Sequence, residues 1–173
     1  MKNTGNFSLT TRGDREIVMT RVFDAPRKLV FDACTKPELV RQWLLGPPGW
    51  SMPVCEIDLR VGGSYRYLWR NTTNGNEMGM GGVYREIAAP ARIVATEKFD
   101  EAWYPGEAVG TLLLSEQGGK TVVTQTVLYQ SREARDAVLK SGMEKGVSAS
   151  YDRLAELLAA LPVQGKEKGA GRS

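Results

Sequence analysis

TRVFDAPRKLVFDACTKPELVRQWLLGPPGW spans residues 20–50, and SMPVCEIDLRVGGSYRY continues it over residues 51–67. Together they read as a strand, two short helices, a loop with two prolines and a tryptophan, and a strand pair. Loose polar–apolar alternation across Arg15–Phe23, with β-branched Val18 and Val22, predicts the strand. Asp24 before Ala25-Pro26 fits an N-cap with proline in the first turn, and Leu29, Val30 and Ala33 give that helix its apolar side. Thr35-Lys36-Pro37-Glu38 has the spacing of a capping box. The second helix is expected to reach about Leu44 and stop at Gly46-Pro47-Pro48-Gly49. Nothing in the stretch resembles a reaction centre. It describes a container.

Working outward, strands are expected at Val54–Leu59, Ser64–Arg70, Met78–Ile87, Ile93–Phe99, Ala108–Ser115 and Thr121–Tyr129. Asn74-Gly75, inside the Asn71–Asn76 cluster, is the clearest hairpin turn, and Gln117-Gly118-Gly119 is the last one. Hairpin-length connections make the sheet antiparallel, with about seven strands. One long helix is expected from about Arg132 to Leu161, with Ser131 as N-cap. Met143, Val147, Tyr151, Leu154, Leu158 and Leu161 form its apolar stripe, and Glu144, Lys145, Ser148, Asp152 and Glu156 its other side. Gly142 and Gly146 lie at the edge of the stripe, each costing about 1 kcal/mol of helix propensity against alanine. They either bend the helix or let it approach another surface closely.

Residues 15–161 therefore form a single domain of class α+β. Residues 1–14, rich in Gly, Ser, Thr and Asn, are expected to be a flexible segment without an ordered element, and residues 162–173 a flexible basic tail. The 173 residues are enough to bury a core, and 42% hydrophobic with 25% charged residues is the balance of a globular protein. The net charge of +3 belongs to the ends: residues 1–12 and 162–173 carry +2 each, which leaves the body at −1. A nucleic-acid partner is not expected. No apolar run approaches the ~20 residues of a bilayer span, and the N-terminus lacks the apolar core of a secretory signal, so no membrane insertion is expected. Cys34 and Cys55 fit neither a metal site nor a disulfide framework, and a cytoplasmic address follows by default.

Strand, two small helices, curved antiparallel sheet and long C-terminal helix suggest a helix-grip arrangement, with a cavity between sheet and helix. Val22-Phe23-Asp24-Ala25-Pro26, Thr35-Lys36-Pro37-Glu38-Leu39 with Trp43, and Asp58-Leu59-Arg60-Val61-Gly62-Gly63-Ser64-Tyr65-Arg66 resemble the START-like (SRPBCC, Bet v 1-type) superfamily. Within it, the chain is most similar to the group named after the C-terminal domain of the Hsp90 ATPase activator, AHSA1. Gly82-Val83-Tyr84-Arg85-Glu86-Ile87, Pro90-Ala91-Arg92-Ile93-Val94 and Ser141-Gly142-Met143-Glu144-Lys145-Gly146 continue the likeness, which covers about residues 15–161. The resemblance implies the helix-grip fold and a cavity, and dimerisation is a reasonable expectation for such domains. The group's pattern places a tryptophan after the second glycine, where this chain has Val147. That departure implies a roomier or differently shaped cavity.

Tyr65, Tyr67 and Trp69 share one strand face, and Arg66 and Arg70 share the other with Leu68. Two arginines prefer solvent, so the aromatic triplet should point inward. Met78, Met80 and Tyr84 share a face on the next strand, with a gap at Gly82. Trp43 and Trp50 flank the proline loop, and Trp103 stands in another loop. Glu97 has the parity of Ile93, Ala95 and Phe99 and should face inward, whereas Gln125 interrupts an otherwise apolar strand. Such residues also fill ordinary cores; the implied cavity is what makes them a candidate lining. Met143, Gly146, Val147 and Tyr151 would supply its roof.

The chain has no histidine. A base working near neutral pH would have to be a shifted carboxylate, lysine or tyrosine. Glu56 and Asp58 share a strand face, and Asp58 with Arg60 and Arg66 reads as an ion pair near the strand turn. No phosphate loop, nucleophile elbow or metal-ligand cluster appears, so no cofactor, metal or catalytic residue is expected. The expected function is binding of a small hydrophobic or aromatic molecule. The alternatives are an Hsp90-type co-chaperone, implied by the group's name, and a cyclase- or dehydratase-like enzyme, implied by some relatives.

Overall fold

The computed structural model describes residues 6–101 and 104–162. The expected tails fall partly on residues 1–5 and 163–173, and Trp103 is in the 102–103 gap; these positions lie outside the described residues. Eight strands and four helices follow in the order β1 (Ser8–Arg12), β2 (Glu16–Phe23), α1 (Arg27–Thr35), α2 (Pro37–Trp43), β3 (Trp50–Ile57), β4 (Ser64–Asn71), β5 (Glu77–Ala88), β6 (Arg92–Phe99), β7 (Ala108–Gln117), β8 (Lys120–Leu128), α3 (Arg132–Lys140) and α4 (Met143–Ala160).

One antiparallel sheet takes the order β1-β2-β8-β7-β6-β5-β4-β3. The helices that interrupt the chain after β2 send β3 to the far edge, and hairpins then bring the strands back until β8 pairs with β2. The sheet is thus curved around one face. On β2 that face carries Ile17, Met19, Arg21 and Phe23, which alternate strictly with half-buried residues. Both ends of the sheet contribute buried aromatics to it, Phe23 from β2 and Tyr65 and Tyr67 from β4.

Several expectations are corrected. The N-terminal segment contains an ordered strand: Ser8–Arg12 pairs with Glu16–Thr20 of β2. Polar residues suffice there because an edge strand needs backbone partners more than buried side chains. The sheet therefore has eight strands. Asp24 does not cap α1; Pro26 stands at the N-cap and no side chain bonds there. Nor is there a capping box at α2, whose N-cap is Lys36. Thr35 instead donates its hydroxyl to the Phe31 carbonyl at 2.8 Å, ending α1 rather than starting α2. Ser131 does cap α3, accepting from the Ala134 amide at 3.0 Å.

The largest difference is at the C-terminus, where the single long helix is two. Ser141 caps α3, and Gly142 adopts a left-handed φ of +84° before α4 begins. The apolar stripe read from the sequence begins only at Met143, so its periodicity does not test continuity with the segment before it; the buried residues of α3, Ala134, Arg135 and Val138, form a face of their own.

Two apolar clusters result. One unites α1, α2 and α4 with β4 and the inner ends of β2 and β8, and includes Phe23, Val30, Trp43, Tyr67, Tyr151 and Leu154. The other gathers Ile17, Met19, Tyr104, Val127, Tyr129 and Val138 around α3. Phe7 and Val147 touch both.

Candidate functional site: a cavity between the sheet and the C-terminal helices

Between the concave sheet face and α3–α4 lies a cavity of about 670 Å³. That is within the range of small-molecule sites. Its walls come from every layer: Trp43 from α2, the aromatics of β4, the methionines of β5, Glu97 and Phe99 from β6, and Val147 and Tyr151 from α4. Trp50, which opens β3, borders it too.

Register explains the aromatic wall. Tyr65, Tyr67 and Trp69 lie opposite Gly82, Met80 and Met78. Tyr67 stands 5.0 Å from Tyr65 and 5.7 Å from Trp69, ring centroid to centroid. Gly82 is needed because a Cβ there would overlap the Thr96 carbonyl oxygen. The freed space lets the Tyr65 ring cross β5 and donate its hydroxyl to that carbonyl at 2.7 Å. The Val83 amide donates to Thr96 Oγ1 at 2.9 Å, replacing ladder pairing at this point. Glu97 therefore follows a local opening between β5 and β6.

The proline loop is fastened at the rim. Trp69 Nε1 donates to the Leu44 carbonyl at 2.7 Å. The Gly46 amide donates to Ser150 Oγ at 2.9 Å, and Arg153 donates to the Gly46 carbonyl at 2.7 Å. Gly146 is where α4 meets this loop: a Cβ there would lie 3.3 Å from Pro47 Cδ. The two glycines thus divide the roles read from the sequence. Gly142 breaks the helix, and Gly146 permits close approach.

The interior is mostly apolar. Among the lining residues described, Glu97 and Lys145 are the only two of charged type. Glu97 is half-buried, yet burial pushes its carboxyl up to about 7. The two facts agree when its remaining surface opens into the cavity it borders, where little solvent stabilises the charge. The same burial raises the Tyr65, Tyr84, Tyr129 and Tyr151 phenols far above their ordinary range, so all stay neutral. Cys34 borders the cavity, and Cys55 is buried; burial lifts their thiols to about 12 and about 11, far from a reactive thiolate.

All the residues singled out as candidate lining border this cavity: Trp43, Trp50, Tyr65, Tyr67 and Trp69; Met78, Met80, Tyr84, Glu97 and Phe99; Met143, Gly146, Val147 and Tyr151. Met78 is the most peripheral, at 36% exposure. Asp58 and Arg60 do pair, at 3.0 Å. Arg66 does not join them; it forms a two-pronged pair with Asp100 at 2.6 and 2.7 Å on the outer face. Sequence reasoning missed Tyr129, Val138, Lys145, Ser150 and Gly110, which also border the cavity. The strand parity of Gly110 with Leu112 and of Tyr129 with Val127, and the helical spacing of Ser150 from Val147 and Leu154, could have revealed three of them. Among the described residues, no three His, Cys, Asp or Glu side chains could hold a metal ion, and no helix is long and apolar enough to cross a membrane.

The family model described as activator of Hsp90 ATPase homolog 1-like protein matches residues 24–159. A crystal structure of a protein from Rhodobacter sphaeroides is 31% identical, with a TM-score of 0.84 over 90% of this chain and 99% of that one. A solution structure from Staphylococcus epidermidis is 28% identical, with a TM-score of 0.75 over 88% and 93%. An AHSA1-like protein from Aeromonas hydrophila, 16% identical, shares the fold with a TM-score of 0.67 over 85% and 97%. Comparison with curated proteins finds no match.

Proposed function

The chain belongs to the activator of Hsp90 ATPase homolog 1-like family, and we propose that it binds a small hydrophobic or aromatic molecule between its sheet and its C-terminal helices. The observation that carries this reading is the cavity: about 670 Å³, walled by tyrosine, tryptophan, methionine and aliphatic side chains. Space of that size in a core forfeits dispersion contacts, and filling it with an apolar molecule recovers them. Methionines supply adaptable contacts and aromatic rings supply flat ones, which suits a planar or lipid-like guest. The two free cysteines accord with a reducing, cytoplasmic setting.

The test is retention of a guest. The purified full chain, equilibrated with a metabolite extract and washed, should retain an apolar small molecule seen by native mass spectrometry. Replacing Val147 with tryptophan should fill the roof and reduce that retention. A chain that holds no apolar molecule under these conditions, and whose melting temperature no such molecule raises, would refute the reading. The family's description also names activation of Hsp90 ATPase; stimulation of that activity by this chain is the measurement that would favour a co-chaperone role.

A further inference from the structure

Glu97 on β6 and Gln125 on β8 are separated by β7, and the residue beneath both is a glycine. Gly110 pairs with Ala95 on one side and Val127 on the other, so each polar residue lies one inward position away from it. A Cβ at Gly110 would stand 2.7 Å from Glu97 Oε2 and 2.9 Å from Gln125 Nε2. Two polar ends thus overhang one glycine on the cavity floor.

Among the described residues, neither end makes a hydrogen bond to the protein, although buried polar groups ordinarily do. Neither is sealed off, however. The described buried polar atoms without a partner are Arg21 Nε and Arg27 Nε, on other elements. The Glu97 and Gln125 ends therefore keep accessible surface, and both border the cavity. Neighbouring polar groups are already committed: the Tyr65 hydroxyl to Thr96, Trp69 Nε1 to Leu44, and Ser150 Oγ to Gly46. Tyr104 and Tyr129 lie within electrostatic reach of Glu97 but remain neutral phenols.

We propose that Glu97 and Gln125 form a polar recognition point, which selects an apolar or planar molecule presenting one O–H or N–H donor to the Glu97 carboxyl. A carboxyl accepts a hydrogen bond in either protonation state, whereas a plain hydrocarbon would strip water from it and give nothing back. An acidic guest would meet repulsion whenever the Glu97 carboxyl is ionised. Gln125, with both a donor and an acceptor, completes the guest's polar end. This inference rests on the cavity being a ligand site.

Matched probes test it: naphthalene, and 2-naphthol, which adds one hydroxyl, each titrated into the full chain by tryptophan fluorescence. The wild-type protein should bind 2-naphthol at least about tenfold more tightly, since a site built around a hydrogen bond rejects the analogue lacking it. In Glu97→Leu the preference should fall to about twofold or less. Gly110→Ala, whose Cβ displaces both polar ends, should reduce it as well and serves if the first variant does not fold. Equal wild-type affinities, or a preference undiminished in either folded variant, would overturn the recognition point while leaving the cavity reading intact. Binding of neither probe by the wild-type protein would overturn the cavity reading, and this inference with it.

Discussion

Arg21 of β2 donates through Nη1 to Asp152 Oδ1 of α4 at 2.8 Å, with the arginine side chain only 1% exposed. The guanidinium also lies over the Phe23 ring, 5.2 Å from its centroid. A buried pair of this kind contributes little over a well-packed apolar pair, but removing one partner strands the other charge. Asp152→Ala should therefore destabilise the fold by about 3 kcal/mol in urea denaturation, and Asp152→Asn by less, because it keeps an acceptor. Joint replacement by Arg21→Met and Asp152→Leu should recover most of the loss. A wild-type midpoint in Asp152→Ala would show that the pair does not hold α4 to the sheet.

Glu97 predicts a pH dependence of stability. Its folded value of about 7 is raised above the ordinary 4.5, so the folded state binds the proton more tightly than the unfolded one. Stability contributed by the protonated form is fully present below about 4.5 and is lost as pH rises through about 7. The loss is on the order of 3 kcal/mol. Glu97→Gln should flatten this slope and be the more stable protein at about pH 8. Parallel stability curves for the two proteins between these limits would contradict the assignment.

Gly82 and Gly110 share the concave face but differ in what surrounds them. A methyl group at Gly82 meets the backbone carbonyl of Thr96, which cannot move without disturbing β6. At Gly110 it meets only the ends of two side chains. Gly82→Ala should cost more than about 2 kcal/mol, and Gly110→Ala less than about 1 kcal/mol, in thermal or denaturant melts.

Gly142 offers a test that turns on sign. In a continuous helix, alanine there would stabilise by about 1 kcal/mol. At the observed φ of +84° it should instead destabilise, by about 1 kcal/mol. The midpoint of Gly142→Ala decides between one helix and two.

The element order from β2 to β8 was legible in the sequence, and so were the inward face of Tyr65, Tyr67 and Trp69 and the inward turn of Glu97, because strand parity is a strict two-residue rule. Arg66 and Arg70 declared the outer face by needing solvent. What was illegible depends on contacts between distant segments. Gly146 is a helix residue until Pro47 stands against it, and Gln125 is a stray polar residue until Gly110 leaves room beside Glu97. The Ser141–Gly142 break escaped periodicity because the apolar stripe that defined the helix begins at Met143, after the break, and so did not test the segment before it. β1 escaped because its partners are backbone groups, which every sequence supplies.

The cavity is walled from both apolar clusters: Met19, Val127, Tyr129 and Val138 belong to the one around α3, and Trp43, Tyr67, Tyr151 and Leu154 to the other. Each cluster is a candidate unit of local opening, so amide protons of α3 and α4 are expected to exchange with separate free energies in the empty protein. A guest touching both walls would bind only when both units are closed. Its presence would merge the two opening reactions into one, making the occupant a part of the protein's folding cooperativity as well as its cargo.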